Sequence, residues 1–418
     1  MKHISGESKM TSEKVKKRAE EALKKEAAFG EDLNLESYAY AESDMRQIES
    51  LEELDTSDRS IASEVGFDVS GKKTSGSFIQ FDNESFLADI MMQQEGLEVI
   101  PIREALEKHD WAKKYLWKAV PVDVDKYTAT SELNPYNGYF IRAMAGANIQ
   151  MPVQTCLIMK KNRSVQNVHN IIVAEEGSEL HIITGCATPS DLERSLHLGI
   201  SEFYVQENAR LSFTMVHKWS EQTDVRPRSA IHVDAGGVFL STYAVLSPLK
   251  SIQTFPKVRL RGVGAKADLY SVVYGSKDSY YDIGGSLSLE AEKTNGKVIS
   301  RSIATDSAEI VARGDLIGLS PKTRARLECD GLLLSDEGAI RAVPMLNARA
   351  EGTELSHEAT VGKVGAEQLT YLMSRGLDEE EATSLIVNGF VKLEVPDLPP
   401  DLQRSIDNAI KMAVEAGL

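Results

Sequence analysis

The three cysteines of this chain have the widest chemical range of its residues, and each stands in a different setting. Cys186 ends an apolar alternating run in Gly185-Cys186-Ala187-Thr188-Pro189. A Gly/Pro break at a strand end can present a thiol to a partner or to a cavity. An inert strand-end cysteine is the other reading of that spacing. Cys156, in Pro152-Val-Gln-Thr-Cys-Leu-Ile158, alternates inside a strand pattern and reads as a buried structural thiol. Cys329 shares a strand face with Leu327 and Gly331, and His357 and Glu358 follow it by 28 and 29 positions. If the chain repeats with that period, the three residues stack on neighbouring strands about 4.8 Å apart and offer a mixed thiolate, imidazole and carboxylate set to a metal. Ordinary turn residues are the alternative for His357 and Glu358. No C-x-x-C pair occurs, so neither a structural zinc site nor an all-cysteine cluster held by one chain is supported.

Other chemistry finds little support. Gly66-Phe-Asp-Val-Ser-Gly71-Lys72 has the spacing of a phosphate loop, but Lys73 stands where the magnesium-binding hydroxyl belongs, so the match reads as accidental. The Ser, His and Asp combinations are too scattered to define a hydrolase.

The elements that must position these residues change character along the chain. Thr11 to Phe29 reads as a charged amphipathic helix stopped at Gly30, Glu36 to Asp58 is acidic, and Ser70 to Ser77 reads as a linker. Residues 1–75 are therefore expected to be helical with a linker, and 76–138 a mixed segment with a helical pattern around Ile102 to Trp117. From about Tyr139 short β-rich runs alternate with turns. An apolar residue after a small turn recurs at positions 180, 211, 239, 269, 299, 327 and 355, with separations of 31, 28, 30, 30, 28 and 28. Such regularity predicts a solenoid of stacked β-coils, a β-helix, over 139–360, with a β-sandwich as the alternative. Residues 361–418 read as helical: Leu369, Leu372 and Met373 form one stripe, Asp378 and Glu381 a capping box, and Leu402, Ile406, Ile410 and Ala413 a last helix. Such helices cap a solenoid or dock another subunit.

Lys plus Arg number 47 against 63 Asp plus Glu, a net charge of −16, which argues against nucleic acid or an anionic membrane as the main partner. No run approaches the roughly 20 apolar residues of a membrane span. Three cysteines cannot make a disulfide framework, and the N-terminus has no apolar signal region, so a reducing cytoplasm is expected.

Several motifs coincide with one family. Gly177-Ser-Glu-Leu-His-Ile-Ile-Thr-Gly-Cys186-Ala-Thr-Pro189 resembles the SufB segment that carries the sulfur-accepting cysteine of that iron–sulfur assembly scaffold, and Val216-His-Lys-Trp219 resembles its Val-Gln-Asn-Trp strand. Cys329-Asp330, Leu355-Ser-His-Glu-Ala-Thr360, Gly365-Ala-Glu-Gln-Leu369, Arg375-Gly-Leu377 and Ile386-Val-Asn-Gly-Phe390 are similar to the SufB/SufD C-terminal pattern. The resemblance covers roughly Tyr139 to Phe390.

It implies a mainly β protein with a right-handed parallel β-helix core flanked by helices. It also implies a scaffold without ATPase activity of its own, served by a SufC-like ABC ATPase on the C-terminal helices. Sulfur from a donor would be accepted at Cys186 and pass His217 and Trp219 to Cys329. A transient Fe-S cluster, [4Fe-4S] or [2Fe-2S], would be held there with Glu358 and His357 for surrender to apoprotein acceptors. Two departures stand out: His217 replaces the family's usual Gln, and Ser356 replaces a Glu before the His. A homodimer would supply two copies of Cys329 and Glu358 at one twofold interface; a SufB–SufD heterodimer is the rival. The alternative function is a SufD-like structural partner that holds no cluster. A β-helix lyase is disfavoured by the acidic charge and the 6% aromatic content.

Overall fold

A left-handed residue recurs once per turn of the chain: Gly177, Asn208, Gly236, Gly264, Lys293, Lys322 and Gly352 all have φ between 55 and 72°. Glycine and asparagine take this conformation at little steric cost, and each reverses the chain just before a strand. The computed structural model describes residues 6–40, 48, 50–90, 94–245 and 247–391. These turns organise it into a parallel β-solenoid of about eight turns.

The first sheet runs Gly76–Phe81, Val153–Ile158, Glu179–Ala187, Arg210–Lys218, Val238–Val245, Lys266–Gly275, Asn295–Ala304, Arg324–Leu333 and Glu354–Lys363, all parallel. Its N-terminal edge is closed by the antiparallel strand Glu84–Ile90. The second sheet stacks Tyr139–Ala143, Val165–Ala174, Ser195–Val205, Arg228–Val233, Lys257–Leu260, Tyr280–Leu289, Glu309–Gly318 and Ala339–Ala348. Its two middle rungs are split after Val225 and after Thr254 by Arg226-Pro227 and Phe255-Pro256. Proline has no N–H to give a ladder, which is why the strands part there.

The regular period is real, but its register is not the one the apolar markers suggest. Leu180, Leu211, Phe239, Ala267, Gly296, Ala325 and Leu355 form one inward column. Leu269 and Leu327 lie two residues further along their strands, and Ile299 pairs with Glu328. The true column carries Ala267, Gly296 and Ala325 on three rungs, so a search for large apolar residues slides past it.

Helices cover the outside. Thr56–Glu64 lies on the first sheet beside Ile79, Cys156 and Val216, and Val387 and Phe390 of helix Glu379–Val391 pack on Tyr270, Val272 and Ile303. Helix Gly6–Ala22 packs with Lys126–Leu133 against Ile200 and Ala230 of the second sheet. The first helix thus ends at Ala22, short of the expected Phe29. The chain leaves it to give the Lys25 carbonyl to the Lys126 N–H at 2.8 Å, a tertiary bond that overrides the alanine-rich pattern. Two further expectations change. The Ser70–Ser77 stretch is no free linker, because Thr74, Ser75 and Ser77 are buried and a strand begins at Gly76. The Ile102–Trp117 helical pattern is broken at His109 into Ile102–Lys108 and a 3-10 turn, Asp110–Lys114. The phosphate-loop spacing is a turn closed on itself, with the Asp68 carboxylate accepting from the N–H groups of Ser70 and Lys73. The expected helix through Leu402 and Ile410 lies outside the described residues.

Candidate functional site

Strand alternation puts every second residue of the first sheet inside the solenoid. Cys186 is one of these, fully buried, with Leu157 beside it on one neighbouring strand and His217 on the other. The Gly/Pro break therefore presents the thiol to the interior rather than to the surface. Burial pushes its pKa well above the ordinary thiol range, so it is protonated at rest.

His217 is held by Tyr243, whose hydroxyl lies 3.1 Å from Nδ1, while Nε2 is buried without a hydrogen-bond partner. The Trp219 indole Nε1 is likewise buried and unpaired, with the ring 5.5 Å from His217. A second imidazole, His197, stands 5.0 Å from Trp219. Its Nδ1 is 2.9 Å from the Gln166 Oε1, an acceptor, so the proton sits on Nδ1 and Nε2 offers a lone pair. Gly199 makes room for this ring, since a Cβ there would come within 2.7 Å of His197 Nε2. Burial depresses both imidazoles, His197 to about 3 and His217 well below the ordinary value with His197 adding to the effect. The group is thus neutral, polar and sealed. It borders a cavity of about 80 Å³ that reaches from Leu157 past His217 and Tyr243 to Ser271 and Ser300, room for a few small molecules.

Cys156 is buried in a separate cluster on the outer face of the first sheet, under helix Thr56–Glu64. That position suits a packing residue.

Cys329 lies five strands beyond Cys186 in the first sheet, about 24 Å at 4.8 Å per strand. It faces inward, between Ser300 and Ala359 in register, and is 2% exposed. Burial first, then Asp330 and Glu328, push its thiol up to about 11.

The expected convergence of Cys329, His357 and Glu358 is corrected here. The last rung steps by 30 residues rather than 28, so Leu327 pairs with His357, Glu328 with Glu358, and Cys329 with Ala359. His357 shares the inner face with Cys329, its Nε2 buried and unpaired. Glu358 is on the opposite face, held by Arg326 at 2.7 Å, and Arg326 also binds Glu328. Arg301 ties Glu328 to Asp330 on that same face. Among the described residues no three His, Cys, Asp or Glu side chains are grouped to hold a metal ion.

Beyond Cys329, among the described residues, no further strand closes either sheet. Ala339–Ala348 and Glu354–Lys363 are the outermost strands of their sheets at this end, and Met345, Leu346 and Val361 are exposed there. Unpaired strand edges with apolar side chains are templates for pairing with another chain. On the nearby helices Ala366–Ser374 and Glu379–Val391, Tyr371, Met373 and Leu385 are also exposed. Among the described residues no helix is long and apolar enough to cross a membrane.

Sequence reasoning did not single out His197 and Tyr243. His197 sits between Leu196 and Leu198 in a strand buried on both faces, and a polar residue in such a run is the signal that could have found it.

Residues 157–390 match the family model described as SUF system FeS cluster assembly, SufBD core domain. The chain is 41% identical over 404 residues to a protein of Methanothermobacter thermautotrophicus, covering 96% of this chain and 98% of that one. It is 44% identical over 356 residues to one of Archaeoglobus fulgidus, covering 85% and 95%. A Pyrococcus horikoshii protein is 32% identical over 375 residues, covering 89% and 84%. Each is called an iron-sulfur cluster assembly SufBD family protein.

Proposed function

Because the chain belongs to the SufBD family of SUF-system iron–sulfur cluster assembly proteins, we propose that it is a SufB-like scaffold, in which sulfur enters at Cys186 and a labile cluster is built as cargo at Cys329. One observation carries this reading: two inward thiols on one sheet, the first between Leu157 and His217, which line an interior cavity, and the second close to the last described strands, whose apolar side chains are exposed. A donor persulfide R–S–SH exchanging with the Cys186 thiol leaves R–SH and Cys186–S–SH, with no net redox change. Both thiols are neutral at rest, so transfer requires a deprotonation that the raised pKa values hold back until a donor engages. His217 and Trp219, with unpaired polar nitrogens inside the solenoid, line the way.

At the other end one chain offers Cys329 and His357 on the inner face and Glu358 on the outer. The remaining ligands come from a second subunit docked on the exposed strand edges, a second copy of this chain in the homodimer reading. A mixed set of this kind grips a cluster less firmly than four thiolates and can release it to an acceptor. The exposed apolar face of the C-terminal helices is the docking surface we assign to a SufC-like ATPase, which supplies the nucleotide hydrolysis.

A SufD-like structural role is the second reading, favoured by Ser356 in place of a carboxylate and by the division of Glu358 from Cys329. Loading with a radiolabelled persulfide donor separates the two. The scaffold reading expects label retained by the wild type and lost in Cys186→Ser. Equal retention in both would support the structural partner.

A further inference from the structure

Cys186 is sealed from solvent, and its in-register neighbours Leu157 and His217 line a cavity that meets the side wall of the solenoid. On the second sheet that wall is made by Pro227, Ser229, Thr254 and Pro256. These are the two rungs whose strands are split, and the prolines supply no ladder N–H. Gly199 and Ser201 complete the neighbouring rung with minimal side chains.

Outside Phe255 and Gln253, on these split rungs, lies a bend of the N-terminal region. The Phe29 ring packs edge-on against Phe255 at 5.2 Å and under the Arg313 guanidinium at 4.7 Å. Arg313 is itself fixed by a two-pronged bond to Asp282 at 2.6 and 2.8 Å. Gly30, at φ 72°, lies so close over Gln253 that a Cβ would come to 3.1 Å of its side chain. The Glu31 carbonyl accepts from Nη2 of Arg226, a fully buried guanidinium beside Pro227, at 3.3 Å. Two ring contacts and one long hydrogen bond hold this strap in place. Phe29 is only half-buried, so lifting it costs far less than parting a strand ladder of the solenoid.

We infer that small molecules reach the interior through this wall, at the paired proline breaks, and that Phe29-Gly30-Glu31 is its removable cover. The cavity's volume limits the guest to a few heavy atoms, and its largely apolar lining, with the unpaired Nε2 of His217 as one polar point, suits a small and mainly apolar one. The inference goes beyond the scaffold assignment and is read without any cluster or sulfur donor, so the two stand or fall separately.

The test is thiol modification of the full-length chain by methyl methanethiosulfonate, with each cysteine followed by peptide mass. In Phe29→Ala, Cys186 is expected to react at least ten times faster than in the wild type, Phe29→Tyr is expected to restore protection, and Cys156, which lies outside the solenoid, is expected to change less than twofold. Phe255→Ala removes the other half of the ring stack and is expected to act in the same direction as Phe29→Ala. Unchanged Cys186 reactivity in both alanine variants, or Cys186 and Cys156 accelerating together, would overturn the proposal.

Discussion

Cys186 and His217 are in-register neighbours on adjacent parallel strands, both facing into the solenoid, with Tyr243 holding the imidazole by Nδ1. The thiol that would accept sulfur and the imidazole that would meet it next are therefore fixed by the backbone ladder rather than by a loop. His217→Ala is expected to leave persulfide loading at Cys186 unchanged while lowering the label that arrives at Cys329. Peptide-resolved counting of labelled sulfur checks this. Loss of loading itself would place His217 in acceptance rather than passage.

The buried imidazoles make stability fall in acid. His197, with a pKa lowered to about 3, and His217, lowered well below its ordinary value, stay neutral when folded but take a proton when unfolded below about pH 6.5. The unfolded chain then binds more protons, so stability is lost as pH falls through that value. His217→Gln keeps a polar side chain and removes one titration. Its loss of unfolding free energy between pH 7 and pH 5, measured in urea, is expected to be about 2 kcal/mol smaller than that of the wild type.

Cys329 carries the opposite sign. Its thiol is raised to about 11, so iodoacetamide alkylation of the folded chain is expected to climb through that pH rather than through the ordinary thiol value near 9. The same shift removes stability as pH rises between the two values. Alkylation already saturating near pH 9 would contradict the packing described for this residue.

How much of this was legible beforehand depended on what each residue reports. The turn at Gly177, Asn208 and Gly236 is written in residue types that tolerate a left-handed backbone, so the solenoid and its period could be read. The register could not, because the small residues Ala267, Gly296 and Ala325 in the inward column carry no strong apolar signal. The two-residue shift put Ala359 rather than His357 opposite Cys329, while Glu358 falls on the outer face in either register because successive residues of a strand point to opposite faces. The paired breaks at Pro227 and Pro256 and the packing of Phe29 are tertiary facts with no local pattern of their own.

Gly199→Ala tests the interior packing. A methyl group there would crowd His197 Nε2, and equilibrium unfolding is expected to show a loss of about 1–3 kcal/mol, the usual cost of overpacking. A neutral result would mean that the imidazole has room to turn.

Glu358 is exposed and paired with Arg326, so Glu358→Gln is expected to change stability by no more than about 1 kcal/mol. If its carboxylate is a cluster ligand in the assembled dimer, cluster content falls in that variant although the fold is intact. Iron analysis beside a urea melt separates the two effects.

The most direct measurement is anaerobic reconstitution of the full-length protein with iron and sulfide, counting bound iron and acid-labile sulfide in the wild type beside Cys329→Ser. The scaffold reading predicts a visible sulfur-to-iron absorption band with matched iron and sulfide in the wild type, and their loss in the variant. Equal cluster content in both, or none in either, would contradict the assignment of Cys329 as the residue on which the cluster is built.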